Sequence, residues 1–136
     1  MTIQEIENFL QKIGQPYETL PGCTIAMRYK KFYMLIFLDD EDPDYVEIYS
    51  LTDYHYDEGV TKAMIYEAAA RINNALPHIK CEVSEIDDSY CMLRGRAGSY
   101  MNTELFERYF GQMIVDLSAF PELLGEYLSE MLDNKV

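Results

Sequence analysis

Apolar residues near the start of the chain recur at the spacing of an amphipathic helix. Thr2 and Glu5 precede most of them at the spacing of a capping box, and Gly14 suits the position just past a helix end. We therefore predict a helix over residues 3–13. Its apolar stripe consists of Ile6, Phe9, Leu10 and Ile13.

Three strand-like segments, 24–29, 32–38 and 45–51, follow a loop at 15–23 that holds two prolines and a glycine. The connections between the segments are short, so we predict an antiparallel meander. The 32–38 segment is apolar at both odd and even positions. That pattern favours a central strand that is covered on both faces.

A second helix is predicted over residues 61–75, where apolar residues recur three and four apart until Pro77 ends the pattern. Its small alanines allow close approach, either to the sheet or to a second copy of the helix. A second hairpin follows, with strands over 79–86 and 89–96. A loop with an odd number of residues brings the apolar side chains of this hairpin to one face, and we expect that arrangement. These side chains are Cys81, Val83, Cys91 and Leu93.

The C-terminal segment carries a broad apolar stripe at helical spacing. We expect Gly95 and Gly98 to break the strand pattern before it, and Asn102 or Thr103 to cap a third helix. Pro121 removes one helical hydrogen bond. The segment is therefore either kinked near Pro121 or split there into two helices.

The predicted order of elements is α-βββ-α-ββ-α. The 136 residues suffice for one domain and not for two ordinary ones, so residues 1–136 are predicted to form a single domain. Strands that come as hairpins form a mainly antiparallel sheet. The predicted fold class is therefore α+β, with a five-stranded, mainly antiparallel sheet.

The chain carries 24 acidic and 11 basic side chains, a net charge of −13. Such a surface repels nucleic acids and anionic membranes, and it attracts basic segments of other proteins. Its three cysteines match no zinc or CxxC spacing, which favours a reducing compartment. We find neither a leader peptide nor an apolar run of membrane length, and we expect a cytoplasmic protein.

The sequence predicts no catalytic, cofactor-binding or metal-binding residue. Residues 39–58 are rich in Asp and Glu, but a calcium loop starting at Asp40 fails because Tyr45 stands in place of its glycine and Leu51 in place of its last glutamate. We favour a solvated loop over weak cation binding. His55 and His78 lack partners at the spacing of a metal site or a general base.

The cysteines and two arginines offer little further chemistry. Cys81 and Cys91 are expected in the core of the sheet, where a thiol behaves as a small hydrophobic group, and the position of Cys23 is left open. The segment around Arg94 and Arg96 lacks the ending of a phosphate-binding loop. Both arginines remain able to bind a carboxylate, for example one from the acidic loop.

Tyrosine is frequent, with 12 residues. Its apolar ring and polar hydroxyl are typical of binding surfaces, so we predict a partner or dimer surface that combines several tyrosines with one side of the second helix. The alternative is that these tyrosines pack in the core under the helices. The candidate residues are Tyr29, Tyr33, Tyr45, Tyr49, Tyr66, Ile65, Ala69 and Ile72.

The succession of elements resembles the bacterial sensory transduction regulator family, the YbjN-type domain, whose fold is similar to that of the type III secretion chaperones. The resemblance covers the capped helix at 2–13, the strands at 32–38 and 45–51, and the hairpin at 79–96. Its nearest local feature is the helix ending Arg71-Ile72-Asn73-Asn74-Ala75. The resemblance implies a compact α+β domain, often a homodimer, without enzymatic activity.

We therefore expect a non-catalytic module with a regulatory or chaperone-like role, which forms a homodimer and binds a protein or peptide client, with basic clients favoured. The alternative is a small-ligand or metal-responsive sensor, or an enzyme, with a pocket between the last helix and the sheet. Convergence of Tyr54, His55 and Asp57 in one cleft would favour that alternative.

Overall fold

The computed structural model describes residues 1–56 and 59–134, in which three helices and six strands are found. The predicted caps are confirmed: the Thr2 hydroxyl accepts from the Glu5 amide at 3.2 Å, and the Asn102 side chain accepts from the Leu105 amide at 2.9 Å. The elements are α1 (Ile3–Ile13), β1 (Tyr17–Leu20), β2 (Thr24–Tyr29), β3 (Phe32–Leu38), β4 (Tyr45–His55), α2 (Lys62–Ala75), β5 (Lys80–Glu85), β6 (Tyr90–Tyr100) and α3 (Thr103–Asp133).

All six strands form one antiparallel sheet in the order β1-β2-β3-β4-β6-β5. The α+β class is confirmed, but the prediction of five strands is wrong. The additional strand, β1, lies inside the segment that was expected to be a loop. Pro16 and Pro21 flank this four-residue edge strand, which is too short for an alternating pattern to be visible in the sequence.

The hairpin of β5 and β6 has the odd loop that was expected. Cys81 lies opposite Gly95, and Val83 lies opposite Leu93. Residues of equal parity therefore share a face, and Cys91 joins them on it. This arrangement puts both cysteines of the hairpin in the core, as predicted, with exposures of 4% and 0%.

β6 runs to Tyr100, so the expectation that Gly95 and Gly98 interrupt the strand is wrong. Each glycine instead makes room for a ring that crosses the strand. A Cβ atom at Gly95 would lie 2.6 Å from the ring of Phe120 in α3, and one at Gly98 would overlap the hydroxyl of Tyr45. The two rings lie on opposite faces of the sheet, because the two glycines differ in parity.

The three helices pack on the same face of the sheet. The register sets Ile36 opposite Ile48 on that face, and both side chains are fully buried. α1 joins the core through Phe9, whose ring meets those of Phe106 and Phe110 edge-on, at centroid distances of 5.8 and 5.3 Å. Such edge-on pairs add about 0.5–1.5 kcal/mol to the gain from burial.

The apolar side of α2 also lies in this core. Ile65, Ala69 and Ile72 are all 5% exposed or less. Of the two alternatives for the small residues of α2, close approach to the chain's own sheet is therefore the one found. These three residues are covered by their own chain, so their assignment to a partner or dimer surface is corrected.

α3 is one helix that continues through Pro121. The alternative of two separate helices is not found. Phe120, immediately before the proline, is fully buried, so the packing of α3 against the sheet holds the helix together at the point where one hydrogen bond is missing. Within the described residues, no helix has the length and apolarity required to cross a lipid bilayer.

Candidate functional site

The face of the sheet opposite to the helices carries no further element of the described residues, and we call it the open face. β3 is an interior strand, as predicted, but its expected coverage on both faces is wrong: on the open face Leu35 and Phe37 are only partly buried and Tyr33 is 48% exposed. The register defines the larger aromatic and apolar members of the open face as Leu20, Tyr33, Leu35, Phe37, Tyr45, Tyr49, Leu51, Tyr90, Met92 and Tyr100.

The strand residues of the open face carry no net charge. Four acidic and four basic residues lie on it, whereas the whole chain has 24 and 11. The other 20 acidic and 7 basic residues (24 less 4, and 11 less 4) therefore account for the entire charge of −13. The charged members are Glu18, Glu47, Asp53, Glu82, Arg28, Lys80, Arg94 and Arg96.

An ion cluster occupies the centre of the open face. Glu47 is only 8% exposed and accepts a hydrogen bond from Arg94, while Arg96 lies 3.9 Å from the same carboxylate oxygen. Arg96 also donates from Nε to Glu82 at 2.5 Å, and this contact lowers the pKa of Glu82. The guanidinium of Arg94 lies 4.4 Å from the ring centroid of Tyr49, a cation–π contact.

The cluster fixes the direction of its side chains. The planar guanidinium groups are oriented by the carboxylate oxygens with which they pair. The Nε of Arg94 is buried and has no hydrogen-bond partner among the described residues. The open face thus has a rigid, charge-compensated centre with aromatic and apolar side chains around it.

The predicted tyrosines separate into three groups. Tyr33, Tyr45 and Tyr49 lie together on the open face. Tyr29 lies on the helix-facing side of β2 and packs against the core, so the alternative of core packing applies to it. Tyr66 lies on the exposed side of α2, where its hydroxyl donates to Glu85 at 3.0 Å.

Sequence reasoning missed the arginines as members of this surface. Their carboxylate partners are Glu47 of β4, which belongs to the acidic stretch 39–58 as suggested, and Glu82 of β5, which does not. The available signal was the alternation along each strand, which puts Arg94 and Arg96 on one face of β6 and Glu47 and Tyr49 on one face of β4. This signal becomes informative only when the pairing of β4 with β6 is known.

The other candidate groups do not converge on a reactive centre, as far as they belong to the described residues. In β4, Tyr54 points toward the helices and His55 toward the open face, while Asp57 and Glu58 lie outside the described residues. Burial raises the pKa of the Cys81 thiol to about 11 and also raises that of Cys91. Across residues 1–56 and 59–134, no group of three or more His, Cys, Asp or Glu is arranged to hold a metal ion.

Cys23, whose position the sequence left open, lies in the turn between β1 and β2, beside the acidic loop that follows β3. It is partly exposed, and its thiol donates to Asp40 at 2.7 Å, a contact that raises the thiol pKa. A high pKa leaves little thiolate at neutral pH. Asp39 holds the loop itself by accepting from the Glu41 amide at 2.9 Å.

A groove of about 570 Å³ lies between α3 and the end of β6. Its position agrees with the pocket expected between the last helix and the sheet. Its walls include Pro77 and His78 from the turn before β5, Ala97 and Ser99 from β6, and Asp116 from α3. The groove opens at the boundary of the sheet and is separate from the open face.

Neither a protein-family model nor a curated protein matches the sequence. Solved structures match the fold. YbjN of E. coli, described as a candidate transcription regulator, has a TM-score of 0.70 at 13% identity, with 88% of each chain covered. An uncharacterised protein from Methanothermobacter thermautotrophicus has a TM-score of 0.65 at 8% identity, over 97% of this chain and 99% of that one.

A chain of the HopA1–SchA chaperone–effector complex has a TM-score of 0.55 at 10% identity, over 93% of this chain and 91% of that one. Identities this low establish a common fold and nothing finer. The comparisons confirm that the chain has the YbjN-type fold, with similarity to a secretion chaperone.

Proposed function

We propose that this protein is a non-catalytic protein-binding module with a regulatory or chaperone-like role, and that two copies associate through the open face. The observation that carries the proposal is a broad sheet face that is rich in aromatic and arginine side chains, has no net charge, and is left uncovered by the described chain. Tyrosine, phenylalanine, methionine and arginine are the residue types enriched at the centres of protein interfaces.

The size of the open face fits this role. Six strands at a spacing of about 4.8 Å span about 24 Å, and strands of 4 to 11 residues extend about 13–36 Å, with a mean of about 25 Å. The area is thus on the order of 600 Å², somewhat below the roughly 800 Å² that each partner contributes to a standard interface. A second copy would cover the apolar side chains of β3 and β4.

The distribution of charge favours the open face, rather than the rest of the surface, as the contact between two copies. Elsewhere the chain carries its whole net charge of −13, so two copies that meet by other surfaces repel each other. On the open face, Glu47 and Glu82 are already paired with arginines of the same chain. Two such faces can approach each other without a net repulsion.

The structural neighbours support the same class of function. One is a candidate transcription regulator, and another comes from a chaperone–effector complex, in which one protein contacts another. The raised thiol pKa values of Cys81 and Cys91 support a non-catalytic role, because a protonated thiol is a poor nucleophile. Three free cysteines fit a reducing compartment, and we propose the cytoplasm.

The solution mass tests the proposal, measured by light scattering after size exclusion at about 100 µM chain. We expect twice the chain mass of 15.9 kDa. Leu51→Lys should reduce the mass to that of one chain, because it adds an uncompensated charge to each of the two facing surfaces. Lysine is chosen because Arg94, which lies opposite Leu51 in the register, would neutralise a glutamate.

Leu132→Lys is the matched control, because Leu132 is a partly exposed leucine at the far end of α3. It should leave the dimer intact, and circular dichroism should show that both variants are folded. A wild-type chain that elutes with the mass of a monomer would refute the dimer. A dimer that survives Leu51→Lys would refute the open face as its interface.

The groove beside α3 supports a second candidate, a sensor of small ligands. The polar groups in the groove come from His78, Tyr109, Gln112 and Asp116. No hydrogen bond joins His78 to Asp116 in the described structure. A thermal-shift screen across metabolites and divalent metals tests this candidate. A rise in melting temperature that His78→Ala abolishes would support it, and a flat response across the screen would count against it.

A further inference from the structure

β6 extends beyond its neighbour β5. The first residue of β5, Lys80, pairs with Arg96, so the last four residues of β6 have β4 on one side and no strand of the described chain on the other. The register would continue β5 to His78, opposite Gly98. A turn closed by the Ile79 amide and the Leu76 carbonyl, at 3.2 Å, leads the chain away to α2 instead.

The backbone groups at this free edge point away from β4. Met101 donates to the Asp44 carbonyl at 2.8 Å, and Tyr56 donates to the Ser89 carbonyl at 2.9 Å. Odd-numbered residues of β6 therefore bond to β4, and the even-numbered ones present their N–H and C=O groups to the other side. At the free edge those residues are Gly98 and Tyr100, and only the Tyr100 carbonyl has a contact, a 3.4 Å approach by the Ser99 hydroxyl.

The outer edge of β5, unlike the free edge of β6, is covered by a side chain of α2. The side chain of Asn73 in α2 accepts from the Cys81 amide at 2.6 Å and donates to the Cys81 carbonyl at 3.1 Å. One amide side chain thus replaces a strand partner and blocks further pairing there. Gly98 and Tyr100 have no such cover in the described part of the chain, and both are exposed.

A groove with room for another chain lies along the free edge. It has a volume of about 570 Å³ and runs between the end of β6 and α3. Met101 and Met113 provide apolar walls, and Asp116 is its one acidic side chain among the described lining residues. Methionine side chains adapt to different partners, which suits a site that binds more than one sequence.

We propose that the free edge of β6 binds an extended peptide segment of a partner protein as an additional strand. The segment pairs with the backbone groups of Gly98 and Tyr100, which supply specificity for an extended conformation. Alternate side chains of the segment enter the groove, where an apolar residue meets Met101 and Met113. A lysine or arginine of the segment binds Asp116, and the net charge of −13 attracts such basic segments.

The occupant is a peptide because the exposed features match a peptide backbone. Two outward-facing N–H groups and two C=O groups at the spacing of a strand are complementary to another strand. This inference depends on the proposed function only in that the ligand is a protein. The site uses the backbone groups of Gly98 and Tyr100, whereas the open-face contact uses side chains, and the two are tested by different measurements.

The probe is a phage-displayed library of random 12-residue peptides, selected for binding to the wild-type protein. The enriched peptides are then synthesised, and their affinity is measured by fluorescence anisotropy. Tyr100→Pro removes the amide donor from the edge and obstructs strand pairing. We expect it to weaken binding at least about ten-fold. Tyr100→Ala keeps the amide and should bind within about three-fold of the wild type.

Two further measurements keep the test independent of the stability of Tyr100→Pro. The enriched peptide can be N-methylated at alternate peptide bonds in two ways, on the odd or on the even amides. One of the two methylated peptides should not bind, because it lacks the N–H donors that face β6. Asp116→Asn should weaken the binding of enriched peptides that contain lysine about five-fold or more and leave their lysine-to-glutamine variants unchanged.

The proposal is overturned by any of three results. The first is a selection without enrichment, and the second is a peptide that binds Tyr100→Pro as tightly as the wild type. The third is a dimer that Tyr100→Pro dissociates and Tyr100→Ala does not, since both variants lack the ring and the edge would then hold a second copy. Failure of the open-face dimer is read separately, from the mass of the wild-type chain and of Leu51→Lys.

Discussion

Gly95→Ala should destabilise the fold, because the position where the methyl group would go is occupied. The new Cβ would lie 2.6 Å from two ring carbons of Phe120, and ordinary contact begins near 3.4 Å, so the ring would have to move by about 0.8 Å. Phe120 is fully buried between α3 and the sheet. The ring therefore cannot move into solvent, and the strain must spread through neighbouring core residues.

The expected loss follows from two opposing effects. Overpacking of this kind costs about 1–3 kcal/mol. Replacing glycine reduces the freedom of the unfolded chain and returns about 0.4–1 kcal/mol. We expect a net loss of about 1–2 kcal/mol in the free energy of unfolding, measured by urea denaturation, and a fall in melting temperature of about 3–8 °C.

Gly125→Ala is the matched control, since a Cβ on Gly125 in α3 meets nothing within 4 Å. It should stabilise the chain by about 0.5–1 kcal/mol, because alanine is the better helix former. Phe120→Leu combined with Gly95→Ala should cost less than the sum of the two single changes. A Gly95→Ala protein as stable as the wild type would refute the close packing of α3 on β6.

Two other predictions concern the edge strand β5. Arg96 holds the pKa of Glu82 below its usual value of 4.5, so the stabilisation from this pair is fully present above pH 4.5 and is lost as the pH falls through the lower folded-state pKa. Urea denaturation from about pH 6 to about pH 3 should therefore show a decline that is smaller in Arg96→Gln, and equal slopes would contradict the pairing. Asn73→Ala should cost about 1–2 kcal/mol, because it leaves both backbone groups of Cys81 without partners, whereas Asn74→Ala on the neighbouring exposed residue should change little. Equal effects of the two alanine variants would contradict the role of Asn73.

Local patterns in the sequence predicted the elements that are long enough to show them. The stripe and cap at 3–13, the three strands of the meander and the odd loop of the second hairpin all follow from spacing and parity. The β1 strand did not, because four residues between prolines carry too little pattern. The glycines of β6 were misread because their function is to admit Phe120 and Tyr45, which are distant in sequence.

The open face could be predicted only in part. Tyr33, Tyr45 and Tyr49 were identified from their frequency and position. The apolar pattern of β3 indicates burial at both parities, and nothing in one strand tells which face is covered by helices of the same chain and which is left uncovered. The arginines that complete the surface come from β6, and their approach to Glu47 is a product of the β4–β6 register.

The unequal distribution of charge also affects how the protein behaves in concentrated solution. At low ionic strength, repulsion between the acidic surfaces acts over roughly 10–30 Å, before any side chains touch. This repulsion prevents close approach in most orientations, so copies come into contact mainly through their faces without net charge. Added salt shortens the range of this repulsion. Copies can then come into contact in any orientation, and non-specific association becomes more frequent. Acidity on the rest of the surface thus protects the uncovered sheet face from indiscriminate aggregation.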